Sequence, residues 1–388
     1  MPEAYIVSAR RTAGGRRNGR LAGWHPADLG ALVLNALVAD AGVDPAAIDD
    51  VIIGCVSQVG EQTFAFGRNV VLASSLPDSV PAVTIDRQCG SSQQAVHFAA
   101  QAVMSGLQDI VIAGGVESMT RVPMGSAALS PEGSDPLPAS IKDRFGIQNF
   151  SQFGGAEMIA KKWGFTRDML DAYGLESHLR AQRATKTGAF DAEILPLEIV
   201  GADGVSEMHT IDEGIRWDAS PEGMAAVKLL VEGGVITAAT SSQITDGASA
   251  VMIASEKAVK EYGLTPLARI VNMTVTAGDP VVMLEEPLFA TDKALKKAGL
   301  SINDIDLYEV NEAFAPVPMA WLKHTGADPD KLNVNGGAIA LGHPLGASGA
   351  RLMTTLLNEL ERRGARYGLQ AICCAGGLGT ATIIERLD

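Results

Sequence analysis

The order of structural elements is clearest in residues 82–113, which read AVTIDRQCGSSQQAVHFAAQAVMSGLQDIVIA. Residues 82–85 and 110–113 are short apolar runs rich in valine and isoleucine, as is typical of buried strands. Between them, apolar residues recur at helical spacing: Val96, Ala99, Ala100 and Val103. A strand, a helix and a second strand in this order predict a parallel βαβ unit, with the helix crossing over the sheet.

The same alternation extends over most of the 388 residues. Apolar runs predict strands at residues 4–8, 51–56, 248–254, 268–276, 306–310, 370–374 and 380–386. Amphipathic spacing predicts helices at residues 26–41, 256–262, 288–298, 316–324 and 347–363. We therefore predict an α/β protein with a largely parallel sheet and crossover helices.

The alternation is interrupted between about residues 119 and 242. Prolines crowd a stretch without clear periodicity, and helices at 155–163 and 167–187 follow it; the prolines are Pro123, Pro131, Pro136 and Pro138. We interpret this segment as a cap inserted into the α/β core. The predicted domains are an N-terminal half of residues 1–120 plus 245–266, an inserted loop domain of residues 121–244, and a C-terminal half of residues 267–388.

Two short matches indicate that the halves are duplicated. Residues 41–43 resemble residues 298–300, a shift of 257 positions, and an Ile-Asp pair follows both. Residues 106–108 match residues 368–370 at a shift of 262, and we expect a longer second helix to absorb the difference. Chance agreement in a chain rich in glycine and alanine is the alternative. Duplication would bring corresponding loops of the two halves together.

The composition excludes some partners. The net charge of −14 argues against nucleic acid, although a phosphorylated small ligand needs only a local basic site. No run reaches the roughly 18 apolar residues of a membrane span, so no membrane partner is expected. The four cysteines are too few for a disulfide framework and form no CxxC pair, so we expect no metal site and a reducing compartment, the cytoplasm.

The N-terminal region is rich in arginine, at Arg10, Arg11, Arg16, Arg17 and Arg20. An acidic residue and a predicted strand precede these arginines, and no acid-poor amphipathic segment follows them, which argues against a targeting peptide. We interpret them as a structured turn or a subunit contact.

Cys89 is a candidate nucleophile. It lies between a predicted strand and a predicted helix, and Gly90 with two serines opens that helix. Unpaired N–H groups at a helix N-terminus lower the pKa of a thiol and favour the reactive thiolate. The alternative is a buried structural thiol.

His343 lies in a glycine-rich stretch, residues 335–349, NGGAIALGHPLGASG. Glycine permits positive φ angles and close backbone approach, so such a loop can carry an imidazole through a tight space. A surface loop with an incidental histidine is the alternative.

Two further segments carry polar groups at strand ends. Asn311 follows a predicted strand and can hold a water or an oxyanion, or cap a helix. Cys373 and Cys374 are neighbours in one predicted core strand, so their side chains point to opposite faces and at most one of them faces a given site. The glycines after Ala375 can bring backbone N–H groups to a developing oxyanion.

Four motifs together resemble the thiolases, a family of acyl-CoA acetyltransferases, over nearly the whole chain. They are Gln-Cys-Gly-Ser at 88–91, Asn-Glu-Ala-Phe at 311–314, the 335–349 loop, and Cys-Cys-Ala-Gly-Gly at 373–377. Related ketoacyl synthases have histidine in place of the asparagine. The resemblance implies a duplicated fold, with a layered αβαβα core of two related mixed sheets and an inserted CoA-binding loop domain.

The resemblance also implies catalytic roles. Cys89 would accept the acyl group, His343 would take its proton, and Cys373 would act as acid and base. Asn311 would hold a water that forms one oxyanion hole with His343. The backbone N–H groups of Cys89 and Ala375 would form the other; many thiolases have glycine at this alanine.

CoA contacts are implied on the inserted segment. Arg216 in Asp-Glu-Gly-Ile-Arg would bind the nucleotide, Ser242 the pantetheine, and Phe314 would flank the acyl group. Where many thiolases have Met-Gly, this chain has Gln152-Phe153. With the residues around Cys89, that pair resembles degradative thiolases of actinobacterial steroid catabolism.

We therefore expect a thiolase that cleaves a 3-ketoacyl-CoA through an acyl-Cys89 intermediate. CoA and acyl-CoA would be substrates, with no permanently bound cofactor, and the family resemblance implies a homodimer or homotetramer. The alternatives are condensation of two acetyl-CoA molecules, an inactive CoA-binding paralogue, and a cysteine hydrolase. The sequence assigns no role to Cys55 or Cys374.

Overall fold

The computed structural model describes residues 2–128, 135–201 and 204–387, so the predicted loop position of Pro131 lies outside the described residues. The strands are β1 (Ala4–Thr12), β2 (Gly15–Arg16), β3 (Asp50–Gly54), β4 (Ala82–Ile85), β5 (Ile110–Ser118), β6 (Ile194–Leu195), β7 (Leu197–Val200), β8 (Ser206–His209), β9 (Thr245–Ser255), β10 (Ala268–Ala277), β11 (Leu307–Val310), β12 (Tyr367–Cys374) and β13 (Leu378–Arg386).

The helices predicted from the sequence begin and end within about three residues of the predicted positions, but those at residues 66–73, 139–145, 221–225 and 338–341 were not predicted. In chain order the helices are α1 (Pro26–Ala41), α2 (Phe66–Ala73), α3 (Ser91–Ser105), α4 (Ala139–Phe145), α5 (Gln152–Trp163), α6 (Arg167–Lys186), α7 (Pro221–Ala225), α8 (Glu256–Tyr262), α9 (Glu286–Ala298), α10 (Pro316–Thr325), α11 (Ala338–Leu341) and α12 (Ser348–Arg363). The α/β class is confirmed, but the prediction of a largely parallel sheet was wrong, because β9, β10 and β13 pair antiparallel with their neighbours. Within the three described ranges, no helix is long and apolar enough to cross a bilayer.

One continuous sheet runs through both halves of the molecule. Its strand order is β4-β3-β5-β9-β1-β10-β13-β12-β11, with β2 paired to β9 and β6 paired to β1. The halves meet where β1 pairs antiparallel with β10, through Tyr5 opposite Arg269 and Ile6 opposite Ala268. The two related sheets predicted from the sequence are therefore joined edge to edge by a short seam.

The two halves share one topology. In the N-terminal half β3 is parallel to β4 and β5, and β9 is antiparallel to β5 and β1. In the C-terminal half β11 is parallel to β12, and β13 is antiparallel to β12 and β10. A single parallel bridge between Tyr308 and Leu332 stands where β4 would have its counterpart. This correspondence supports duplication.

Only the first of the two sequence matches follows the duplicated structure. Gly42 and Gly299, which belong to that match, both end helices in the left-handed conformation. In the second match, Gly106 ends α3 but Gly368 lies inside β12, so this match was wrong. The structural counterpart of Gly106 is Gly364, which ends α12. The second helix is longer by one residue, 16 against 15, and absorbs no shift of five.

Helices α3 and α12 form the middle of five layers. Twelve of the sixteen residues of α12 are buried, as expected for a helix covered on all sides. One apolar cluster joins α3 and α12 to strands of both halves, through residues such as Val96, Met353, Val111 and Ile384. Helices α1 and α2 cover the outer face of the first half, and α9 and α10 cover that of the second. Helix α3 begins two residues after Cys89, and α12 begins within the glycine-rich stretch that contains His343.

Candidate active site

Cys89 lies in a tight turn directly before the buried helix α3. The preceding residue, Gln88, has a φ of +50°, which is strained for a residue with a side chain. Ser91 stabilises this turn, because its hydroxyl donates to the Gln88 carbonyl at 2.6 Å and accepts from the Arg87 N–H at 2.9 Å. The strain is thus offset locally, as is common at functional positions.

The sulfur of Cys89 is buried, and two backbone N–H groups point at it. The side chain is 4% exposed, and burial raises the pKa of the thiol to about 12. The backbone N–H groups of Cys89 and Ala375 hydrogen-bond to the sulfur and lower the pKa of the thiol, which partly opposes the effect of burial. These are the two N–H groups that the family resemblance assigned to one oxyanion hole.

The two adjacent cysteines of β12 face different surroundings. Cys373 belongs to the apolar cluster of the C-terminal half, whereas Cys374 shares a small cluster with Cys89 and Leu345. Burial raises the pKa of Cys373 well above its usual value, and a charge on Cys89 would raise it further. A Cβ at Gly90 would lie 2.6 Å from the Cys374 sulfur, so glycine permits this close approach. Cys374 thus packs beside the nucleophile turn, whereas Cys373 lies in the neighbouring cluster and is linked to Cys89 by the electrostatic effect of a charge on that sulfur.

His343 is held in one tautomer by Ser348. The Ser348 hydroxyl donates to the Pro344 carbonyl at 2.9 Å, so its oxygen accepts the N–H of His343 Nδ1 at 2.5 Å. The lone pair of the imidazole is then on Nε2. Burial lowers the pKa of His343 to about 3, and the nearby Arg351 cation adds to this shift. The imidazole is neutral at physiological pH and can accept a proton at Nε2.

Asn311 faces this nitrogen. Its Nδ2 atom lies 3.4 Å from His343 Nε2, and its backbone N–H donates to Ala371 of β12 at 3.0 Å. The side-chain oxygen is buried and has no hydrogen-bond partner in the described part of the chain. A buried unpaired oxygen marks a place where a water or a ligand donor is accommodated.

Glu117 is a buried carboxylate near the end of β5 that was not predicted from the sequence. It accepts four hydrogen bonds, from the backbone N–H groups of Val56, Ser57 and Gly346 and from Gln62 Nε2, at 2.9–3.0 Å. It thereby ties the His343 loop to the loop after β3. A buried glutamate in a strand gives no periodic signal, so only the fold reveals this role.

Glu312 was also missed as a structural anchor within the Asn-Glu-Ala-Phe motif. It accepts from Ser177 Oγ at 2.7 Å, Tyr173 Oη at 3.0 Å, Asn333 Nδ2 at 3.0 Å and the Ile339 N–H at 3.1 Å. These donors come from α6 of the inserted segment and from the segment leading to His343. Glu312 therefore fixes the position of the inserted segment relative to the base.

A cleft of about 470 Å³ opens above these groups, with His343 on its wall. All four residues that the sequence analysis assigned to substrate contacts line it: Arg216, Ser242, Phe314 and Gln152. Cys89, Cys373, Asn311 and Ala375 are not among the lining residues. Asn311 contacts His343 on the wall, and Cys89 packs with Met119 and Leu345, which line the cleft. The structure also places Arg16 and Arg17 on the cleft, which the sequence analysis did not anticipate.

Hydrogen bonds fix the positions of the cleft walls. Ser242 donates its N–H to the Ala313 carbonyl at 2.9 Å, which holds the inserted segment against the loop after β11. Phe314 packs edge to face on Phe153, with ring centroids 5.6 Å apart. The Arg216 N–H donates to Nδ1 of His178 at 3.2 Å, and the exposed Arg216 is one of the residues that line the cleft.

The comparisons with known proteins agree with this arrangement. Family models match residues 4–257 as "Thiolase, N-terminal domain" and residues 264–386 as "Thiolase, C-terminal domain". The chain is 53% identical to a steroid 3-ketoacyl-CoA thiolase, FadA6, of Mycobacterium tuberculosis, with 100% of this chain and 95% of that protein aligned. It is 43% identical to a 3-ketoacyl-CoA thiolase of Cronobacter sakazakii over the full length of both.

A solved structure gives the same result for the fold. The acetyl-CoA acetyltransferase of Bacillus anthracis superposes with a TM-score of 0.92 at 35% identity, covering 100% of this chain and 99% of that one. Two family models together span nearly the whole chain, and a relative above half identity covers all of it. The chain therefore belongs to the thiolase family and is an acyltransferase.

Proposed function

We propose that this enzyme cleaves a 3-ketoacyl-CoA into acetyl-CoA and a shortened acyl-CoA, by a ping-pong mechanism through acyl-Cys89. The observation that carries the proposal is the neutral imidazole of His343, whose tautomer puts the basic lone pair on Nε2 beside the cleft. The curated relatives are named 3-ketoacyl-CoA thiolases, which supports the degradative direction.

In the first half-reaction, His343 Nε2 takes the proton of the Cys89 thiol as the sulfur attacks the ketone carbon. A neutral thiol and a neutral base form the resting pair, because burial opposes charge on both side chains. The oxyanion is stabilised by the N–H groups of Cys89 and Ala375, or by His343 with a water on Asn311. The carbon–carbon bond breaks, and the Cys373 thiol protonates the departing acetyl-CoA carbanion.

In the second half-reaction, the Cys373 thiolate deprotonates incoming CoA. The CoA sulfur attacks the thioester of Cys89, and the sulfur of Cys89 leaves with the proton returned by His343. All protons are thus restored, and CoA is consumed as a substrate without a resident cofactor. Two thiols and one imidazole suffice for this acid–base cycle.

We further propose a bulky, ring-bearing acyl group as the substrate. The M. tuberculosis relative is named a steroid 3-ketoacyl-CoA thiolase. Much of the lining of the cleft is apolar, contributed by Met119, Met124, Phe153, Leu230 and Leu345. Apolar area of this kind favours burial of a large hydrocarbon group.

A substrate panel tests the proposal. Acetoacetyl-CoA, a long-chain 3-ketoacyl-CoA and a ring-bearing 3-ketoacyl-CoA are each incubated with CoA, and acetyl-CoA release is ranked by kcat/KM. We expect the ring-bearing substrate to rank first. Failure of all three to release acetyl-CoA would reject thiolysis, and a preference for acetoacetyl-CoA would reject the bulky substrate while leaving thiolysis intact.

Assembly as a dimer or tetramer and location in the cytoplasm remain predictions. The four cysteines are all free and buried, which agrees with a reducing compartment. Condensation of two acetyl-CoA molecules uses the same residues in reverse, because a catalyst does not set the equilibrium.

A further inference from the structure

The arginine turn near the N-terminus lies at the cleft and not on a remote surface. Residues Arg16 and Arg17 line the same cleft as Arg216, Ser242 and His343. The whole chain has 45 acidic and 31 basic side chains, so three arginines on one cleft are a marked local exception. Such a concentration of positive charge attracts an anionic ligand.

The backbone of this turn is held firmly by an acidic residue of the inserted segment. Glu213 accepts the backbone N–H groups of Arg16 at 3.1 Å and Arg20 at 2.8 Å, and it lies 3.6 Å from the Arg16 guanidinium. The N–H of Asn18, which has a φ of +57°, donates to Thr120 Oγ1 at 2.9 Å. The backbone of the turn is therefore held in place by Glu213 and Thr120.

The arginines of the turn differ in whether their charge is already paired. Arg16 faces Glu213, and Arg20 forms an ion pair with Glu207 at 2.6 Å. The guanidinium groups of Arg17 and Arg216 have no ion pair or hydrogen bond with any residue that the structure describes. Two unpaired cations thus line one cleft.

We propose that Arg17 binds a phosphate group of CoA, together with Arg216. This inference rests on the proposed function, since it takes CoA as the ligand. A guanidinium presents paired N–H donors that match two phosphate oxygens, and it keeps its charge at every physiological pH. With Arg17 contributed by the turn and Arg216 by the inserted segment, the phosphates are bound between two parts of the chain.

The test measures binding directly, by isothermal titration of the full-length protein with CoA, dephospho-CoA and pantetheine. The variant is Arg17→Gln, and the matched control is Lys296→Gln, which removes one exposed positive charge from α9 outside the cleft. We expect Arg17→Gln to weaken CoA binding by about five- to twenty-fold at low salt, with a smaller effect at high salt. The control should match the wild type.

The three ligands identify the phosphate involved. Loss of affinity for CoA alone assigns Arg17 to the 3′-phosphate, which dephospho-CoA lacks. Equal loss for CoA and dephospho-CoA, with pantetheine unaffected, assigns it to the pyrophosphate. Equal loss for all three ligands, or no loss for any, overturns the proposal.

The same titration separates this inference from the proposed function. CoA binding that depends on Arg17, in an enzyme without thiolysis activity, would reject the proposed function and keep the phosphate site. If the enzyme catalyses thiolysis and Arg17→Gln binds CoA as tightly as the wild type, the phosphate site is rejected and the proposed function is kept. Absence of CoA binding in the wild-type protein would overturn both.

Discussion

His343 donates from Nδ1 to the hydroxyl oxygen of Ser348 at 2.5 Å, and that hydroxyl is itself committed to the Pro344 carbonyl. The residue that orients the base therefore lies five positions after it, at the first residue of α12. This buried helix fixes the direction of the hydroxyl. The tautomer of the imidazole is thus a consequence of where a helix begins.

Replacing Ser348 by alanine should reduce kcat by about 10- to 100-fold, the usual cost of losing a group that orients a catalytic histidine. The Nδ1–H would lose its acceptor, and the imidazole would no longer be confined to one tautomer. Ser348→Thr keeps the hydroxyl and is the matched variant, which we expect to restore most of the rate. Steady-state kinetics of both variants over a range of pH checks this. Equal losses in the two would argue against orientation by the hydroxyl.

Removal of the nucleophile should abolish acyl transfer. In Cys89→Ala, we expect turnover to fall by about 10³-fold or more, with no acyl-enzyme visible by intact-protein mass spectrometry. Cys374→Ala is the control, because this thiol shares a cluster with Cys89 but has no assigned proton transfer. It should still form the acyl-enzyme. Labelling of Cys89→Ala by substrate would point to a different nucleophile.

The Glu117 carboxylate should matter for both stability and catalysis. Each carboxylate oxygen of Glu117 accepts hydrogen bonds from two N–H donors. In Glu117→Gln, an amide NH₂ replaces one of these oxygens, so two donors lose their acceptor. Unsatisfied buried donors cost about 1–3 kcal/mol each, so the free energy of unfolding should fall by about 2–4 kcal/mol. Urea denaturation measures this, and kcat reports any shift of the His343 loop. Glu232→Gln, at an exposed position, should change neither.

Acid should destabilise the fold through buried histidines. Burial lowers the pKa of His97 to about 3, and its Nε2 lies 2.7 Å from Thr382 Oγ1, which accepts from Gln93. The unfolded chain takes up a proton near pH 6.5, but the folded chain does not until about pH 3. Stability is therefore lost as the pH falls through this window, by up to about 1.4 kcal/mol per pH unit for this group.

The variant His97→Gln tests this linkage, because glutamine can still accept from Thr382 but does not titrate. Its free energy of unfolding, measured in urea from pH 7 to pH 4, should fall less steeply than that of the wild type. An unchanged slope would show that His97 does not contribute to acid sensitivity.

The sequence predicted the elements whose signals are local. Helices α1 and α8 and strand β4 begin and end where their apolar periodicity and flanking turns predicted. Glycines, which mark backbone that passes closely by other backbone, singled out the turn at Cys89 and the loop at His343, but the resemblance to the thiolases carried most of the assignment of His343. A Cβ at Gly115, for example, would lie 2.0 Å from the carbonyl oxygen of Gly346.

Features that depend on distant parts of the chain were not predictable in this way. Arg17 looks like any solvated arginine until the inserted segment is seen to fold back beside it. Glu117 resembles an isolated acid in an apolar strand, because its four donors come from three separate segments. The seam between β1 and β10 depends on two residue pairs across the chain, and no local pattern specifies them.

The position of β13 bears on the order in which the site can form. This strand, Leu378–Arg386, pairs with β12 on one side and with β10 on the other, and it follows both in the chain. Until β13 is in place, β12 and its Cys373 have no hydrogen-bonded connection through the described sheet to β10 or to the N-terminal half. Joining the second thiol to the half of the molecule that carries the nucleophile therefore depends on a strand that contributes no catalytic side chain.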